Sequence, residues 1–296
     1  MEAPVPEGTY LYVFLTSAFN AEDPLAVLTL LFLFFARFMP IIALAPFFGS
    51  KILPHPVKVT FAISIFVIFL PQLLTVTTTK LNFSPYTVVL LGKELFIGTV
   101  LGFIISVPFT IVQNAGIIID HQRGGASLMV NDPTVQNQSS PLGTLFNMVL
   151  IFIFFLIDGP FLLLNGLITS YEIIPPDQLI NTHFFDKNST FWEMFLKLFN
   201  QVMVISIQLA SPALLAILMT DVFLGIANRL APQVQITFLG MPLKSLLALV
   251  VVCFGWKLLS EEMVKQCYVW LEHVKEALLM IANVEVPQTP PPPPTP

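Results

Sequence analysis

Charge is scarce in this chain of 296 residues: Asp, Glu, Lys and Arg make up 10% of it, against about 25% in an ordinary soluble domain. So little charge excludes a normal water-facing surface. The net charge of −5 also excludes the basic footprint that nucleic acid demands, so no nucleic-acid partner is expected. Cysteine occurs twice, at Cys253 and Cys267, which is too few for a disulfide framework and reads as reduced structural thiols. The four histidines, His55, His121, His183 and His273, are scattered over separate segments. There is no His-Glu-x-x-His and no Cys/His cluster, so no metal site is expected. A G-x-S-x-G elbow and a phosphate-binding loop are both missing, and no nucleophile–base pair stands out, so neither catalysis nor a cofactor is expected. The first residues lack a basic region and a small-residue cleavage site, so the first hydrophobic segment is read as the insertion signal.

What is present in excess is apolar: 55% of the residues are hydrophobic, and 28 are Phe. A soluble interior of this size cannot hide them all, so a lipid-exposed or subunit-buried surface is required. A helix needs about 20 apolar residues to cross a bilayer core. Six stretches qualify: 24–49, 57–76, 88–119, 144–168, 202–227 and 236–259. The fold class is therefore all-α and of the integral membrane type. Residues 1–259 read as one hydrophobic helical domain, 260–283 as an amphipathic C-terminal helix, and 284–296 as a Pro-rich disordered tail that either docks a partner or is inert. The third stretch is too long for one straight span, and Pro108 predicts a kink in it.

Nearly every stretch is broken by a charge, a proline or both. Arg37 and Pro40 lie in the first, Pro71 at the end of the second, and Lys93, Glu94 and Pro108 in the third. Asp158 and Pro160 interrupt the fourth, Pro212 and Asp221 the fifth, Pro242 and Lys244 the sixth. An ionisable residue at a membrane-helix centre costs roughly 2.5–3.5 kcal/mol on insertion scales, so each is a functional candidate. Glu94, Gly98, Gly102 and Ser106 form one helical stripe, whose glycines allow another backbone close, unless the pattern is chance. Lys93 points about 100° from Glu94, so the two need not pair. Asp221, Gly225 and Arg229 share a second stripe; Asp221 and Arg229 are about 12 Å apart along it and must find separate partners. Arg229 alternatively just caps its helix end. Residues 120–143 read as a long irregular polar loop, either a gate or plug or a solvated surface loop. Residues 170–190 read as another connection. The first connection holds Lys51 and Lys58, which favours the N-terminus outside, although the other loops do not settle the orientation.

The segment 229–244, RLAPQVQITFLGMPLK, resembles the signature of the FliR/SctT family of type III secretion export-apparatus proteins. Arg229, Pro232, Gln233, Gly240, Pro242, Leu243 and Lys244 match it, while Gln235 and Thr237 replace a customary Asn and aromatic. Arg37, Pro40, Pro46 and Phe47 resemble the family's first-segment pattern, and Glu94, Gly98 and Gly102 its E-x-x-x-G-x-x-x-G helix. Asp120, Gln122, Gly124, Asp132 and Pro133 resemble its central loop; Asp158-Gly159 matches, with Pro160 where His is frequent. The resemblance runs over 24–259. The loop wording is closer to the injectisome SctT branch than to flagellar FliR.

The resemblance implies a non-enzymatic subunit in a helical, hetero-oligomeric entry portal at the bacterial inner membrane. Its partners would be SctR-like and SctS-like subunits, an SctU-like switch protein, inner-rod or needle proteins, membrane lipid, and secreted effector proteins in transit. Kinked hairpins would pack on other subunits, partly raised toward the periplasm. Arg37, Glu94, Gly98, Gly102, Asp158, Asp221, Arg229, Pro232, Gln233, Gly240, Pro242 and Lys244 would serve subunit packing and buried polar contacts. Asp120, Gln122, Arg123, Gly124, Asp132, Pro133, Gln136 and Gln138 would form a channel plug. A multi-pass small-solute transporter or channel is the alternative, as is a flagellar rather than an injectisome subunit; a membrane-embedded enzyme is a further one.

Overall fold

A computed structural model describes residues 24–48, 54–77, 81, 84–124, 140–179, 190–230 and 236–281. Its regular structure is helical, with no strand among the described residues. Helix α1 spans Pro24–Leu44 and leads into a short 3-10 turn, Pro46–Phe48. Then follow α2 (His55–Val76), α3 (Pro85–Gln122), α4 (Pro141–Leu156), α5 (Gly159–Ile173), α6 (Thr190–Leu230), α7 (Ile236–Phe254) and α8 (Trp256–Ile281).

Prolines and hydroxyls start these helices. Pro54 precedes α2, which carries a proline in its first turn, where the missing N–H costs nothing. Ser140 caps α4: its Oγ accepts from the Gly143 N–H at 2.9 Å, and Pro141 follows. Prolines also lie inside helices, at Pro40, Pro71, Pro108, Pro212 and Pro242. At Pro212 the carbonyl that loses its helical donor belongs to Gln208, and the Ser211 hydroxyl donates to it at 2.8 Å.

Several boundaries differ from the hydropathy reading. The third stretch is one continuous helix of 38 residues, with Pro108 inside it. The loop expected over 120–143 begins later, because Asp120 and Gln122 are still helical; it ends earlier, because α4 starts at Pro141. The connection expected over 170–190 starts only after Ile173. Helix α6 begins at Thr190, well before 202, because Leu198 and Val202 continue the buried face through a turn too polar for a hydropathy window. The fourth stretch breaks at Ile157–Asp158, and the sixth bends by 65° at Gly255. Asp158 sits at φ 56°, a left-handed conformation that Asp tolerates better than most residues.

Among the described residues, four helices are long and apolar enough to cross a membrane: Leu25–Leu44, His55–Val76, Pro85–Gln122 and Trp192–Leu230. The number rises to six if each broken pair, α4 with α5 and α7 with α8, counts as one span. The six stretches read from the sequence correspond to that upper number.

The helices contribute to two compact units. The first takes α1, α2, the front of α3, most of α5, the start of α6 and the end of α8. On α1, Leu30, Leu33, Phe34, Phe38 and Ile41 recur at helical spacing and are fully buried. Phe34 stacks on Tyr171, with ring centroids 6.0 Å apart, and meets Phe66 and Phe69 of α2. The second unit takes the rest of α3 and α8, with α4, α7 and most of α6. There Gly116 and Gly143 bring α3 and α4 into backbone contact: a Cβ on Gly116 would lie 2.5 Å from the Gly143 nitrogen. Phe109 packs edge-on against Phe154, and Phe146 meets Trp256.

Candidate functional site

Arg37 lies within the buried stripe of α1, where an aliphatic residue would serve packing equally well. Burying an unpaired guanidinium is prohibitive, so the fold must answer its donors. It answers four of the five that arginine carries. The Nε and one Nη donate to the two carboxylate oxygens of Glu94 on α3, the second contact at 2.8 Å, in a bidentate pair. The remaining contacts are the Ser170 hydroxyl at 3.0 Å and the Ile174 carbonyl at 2.8 Å. The guanidinium also lies 3.9 Å from the centre of the Tyr171 ring.

Glu94 has a second cation. Lys93 Nζ approaches its Oε1 at 2.7 Å and donates to the carbonyls of Pro175, Pro176 and Gln178 at 2.8, 3.3 and 2.8 Å. The sequence left pairing of Lys93 with Glu94 open, and the two do pair. The 100° between neighbours on a helix fixes where Cβ points, whereas a four-carbon stem can bring the ammonium back. Two cations and one carboxylate thus cap the carbonyl-rich turn that follows α5.

Behind this cluster the glycine stripe of α3 rides on α1. A Cβ on Gly98 would strike the Arg37 carbonyl, and one on Gly102 would lie 3.0 Å from the Pro40 carbonyl oxygen. Of the two readings left open for this pattern, close backbone packing is the one observed, and the neighbour is α1 of the same chain.

A second polar cluster belongs to the second unit. Asp120, buried in the last turn of α3, accepts from the Ser140 hydroxyl and, at 2.9 Å, from the Leu142 N–H. Arg123 pairs with its other oxygen at 2.6 Å and donates to Ser245 of α7 at 3.1 Å. Gly124 ends the helix at φ 92°. The exposed Gln122 stands beside this clasp. Four of the proposed plug residues, Asp132, Pro133, Gln136 and Gln138, lie outside the described residues, as do Pro232 and Gln233 of the signature.

The third pair joins α6 to α7. Asp221 and Lys244 form a salt bridge with side chains 38% and 24% exposed. The sequence required a partner for Asp221 other than Arg229, and Lys244 is that partner. Gly240 is buried beside Leu224, while Pro242 and Arg229 are exposed, Arg229 in the last turn of α6. Around the pair both helices present apolar side chains outward, including Phe223, Leu230 and Leu246. Asp158 is exposed at the α4–α5 break, and Gly159 beside it leaves no room for a Cβ against the Phe154 ring.

These arrangements hold helices in register. The buried carboxylates of Glu94 and Asp120 are committed to cations or capping donors, and no group of three His, Cys, Asp or Glu residues is placed to hold a metal ion among the described residues. Sequence reasoning missed Ser170, Tyr171, Ser140 and Ser245. Ser140-Pro141 at a helix start was the one available signal; the others carry none.

The chain matches the family described as "Bacterial export proteins, family 1" over residues 28–268. It is 34% identical to the Yop proteins translocation protein T of Yersinia pestis over 196 residues, 66% of this chain and 69% of that protein. It is 33% identical to the secretion system apparatus protein SsaT of Salmonella typhimurium over 162 residues, 54% of this chain and 60% of that protein. Its identity to the flagellar biosynthetic protein FliR of Bacillus subtilis is 30% over 216 residues, 72% of this chain and 80% of that protein.

Proposed function

This chain belongs to the bacterial export proteins, family 1, and from that membership we propose that it is a non-enzymatic structural subunit of a type III secretion export gate in the bacterial inner membrane. It assembles there with SctR-like and SctS-like subunits around a channel for unfolded secreted proteins. An SctU-like switch protein and inner-rod or needle proteins are further partners, and the assembled portal is partly raised toward the periplasm.

The observation that carries this reading is where polarity and apolarity sit. The buried charges of Arg37, Lys93, Glu94, Asp120 and Arg123 are answered within the chain, whereas long helices keep bulky apolar side chains exposed, among them Ile68, Phe152, Phe161, Phe223 and Phe254. A small-solute transporter would need polar groups available along a path. Here the polar groups of Arg37, Lys93, Glu94 and Asp120 are spent on helix packing. The outward apolar faces suit neighbouring subunits and lipid instead. The 34% and 33% identities to the Yersinia translocation protein T and to the Salmonella SsaT, against 30% to the Bacillus FliR, support the injectisome branch over the flagellar one.

Affinity purification of the tagged chain from its membrane tests the assignment. SctR-like and SctS-like subunits are expected to copurify. A chain that purifies alone and moves a solute in liposomes would overturn it in favour of the transporter reading. The plug role of the segment 122–138 has its own test. Shortening it should raise ion leakage through the assembled portal, and unchanged leakage with unchanged secretion removes that role.

A further inference from the structure

The bend at Gly255 opens an apolar cleft of about 640 Å³ inside the second unit. One wall comes from α6, where Leu209 and Ala213 lie one turn apart on a single face. The opposite wall comes from α8, where Leu258 and Leu259 stand one turn above Glu262, and Val252 of α7 lies between. Gln208 and Glu262 are the polar side chains among the lining residues.

The bend also marks a change of environment. Helix α7 is apolar through to Phe254, which is 88% exposed. Helix α8 is amphipathic: Met263, Cys267 and Trp270 are buried, while Lys257, Glu261 and Lys265 are exposed along one stripe. At the bend the outward face changes from apolar to charged, and the cleft lining runs from Val252 and Phe254 to the polar Glu262.

The rim is built. Gln266 donates to Glu262 Oε1 at 2.8 Å and is held in turn by the Trp270 indole N–H at 3.3 Å, which orients the carboxylate. Its other oxygen faces Lys265 at 3.6 Å, and Lys257 stands 3.9 Å from Glu261. The Glu262–Lys265 pair is longer than a direct charged hydrogen bond, so a headgroup can exchange into it. A carboxylate lining the cleft, with one cation beside it, suits a zwitterion better than an anion.

We propose that this cleft binds one aminophospholipid, with an acyl chain between α6 and α8, its ammonium on Glu262 and its phosphate toward Lys265. Size argues against a partner helix. One turn of helix with its side chains occupies on the order of 400 Å³. The cleft would therefore take little more than a single turn, whereas a flexible acyl chain can fill it from the membrane side.

The test is native mass spectrometry of the full chain, purified in mild detergent and offered phosphatidylethanolamine or phosphatidylglycerol. Retention of one phosphatidylethanolamine is expected. Leu209→Trp should expel it by filling the cleft, and Leu258→Trp, at a position 73% exposed, should do so without burdening the core. Glu262→Gln should retain lipid but lower the preference for phosphatidylethanolamine about threefold, the scale of a partly exposed ion pair. Three results would each overturn the site: no lipid held beyond the detergent background, lipid unchanged in both Trp variants, or a cleft shielded only when a protein partner copurifies. Equal binding of both lipids by the parent chain would overturn the headgroup assignment.

Discussion

Single residues in this protein matter according to what they leave behind. Removing one member of a buried ion pair strands the other, at about 3–5 kcal/mol. Glu94→Ala should therefore lower the thermal midpoint and protease resistance of the detergent-solubilised chain by that order, since Arg37 and Lys93 both lose their carboxylate. Removing both cations with the carboxylate, as Arg37→Met, Lys93→Met and Glu94→Leu together, should recover much of the loss; a triple variant no better than Glu94→Ala would show that stranded cations are not the cause. The glycines of α3 divide in the same way. Gly98→Ala should be among the most damaging substitutions, because its Cβ meets the Arg37 backbone carbonyl, which cannot move aside. Gly92→Ala has open space around it and should stabilise the helix by about 0.5–1 kcal/mol in the same assay. Arg37 could be singled out in the sequence as a charge on an apolar stripe. That Glu94 is its partner could not be read, because Glu94 lies far along the chain and only packing brings α3 against α1.

At the scale of elements, breaks and caps decide how the apolar runs are divided. Asp158 holds a left-handed backbone between α4 and α5. A β-branched residue there should cost about 1–2 kcal/mol, whereas Asp158→Gly should be close to neutral; thermal unfolding of the two variants side by side checks the contrast. Ser140→Ala removes the cap of α4 and one donor to Asp120, and should cost about 1 kcal/mol in the same measurement. The first break was legible as Asp158-Gly159-Pro160. The second was not, since Gly255 is a lone glycine in an apolar run and nothing local distinguishes a bend from a continuous helix. The early start of α6 was hidden for another reason: its first turns interleave Glu193, Lys197 and Asn200 with apolar residues, and a hydropathy window responds to average polarity, not to period.

For the whole molecule, the abundance of outward apolar side chains means that stability and assembly depend on a non-aqueous surround. The Asp221–Lys244 pair lies within such a surface, half open. Where water reaches it, the pair is worth no more than about 1 kcal/mol. In an assembled apolar interface, a lone charge would cost more. Asp221→Lys and Lys244→Asp should therefore each impair complex formation on native gels, and the double swap should restore it. Unimpaired single variants would place this surface in water. Composition alone determined that the chain is a membrane-type helical protein. Its motifs determined the family, and helical period located the charges that would need partners. These are properties of sums and of neighbours along the chain. The tertiary structure decided that Lys93 and Arg37 share Glu94, that the glycine stripe faces the chain's own α1, and that Asp221 meets Lys244. Apolar burial has no direction, so it leaves many packings open; a charge that must be hydrogen-bonded at a fixed distance and angle admits very few.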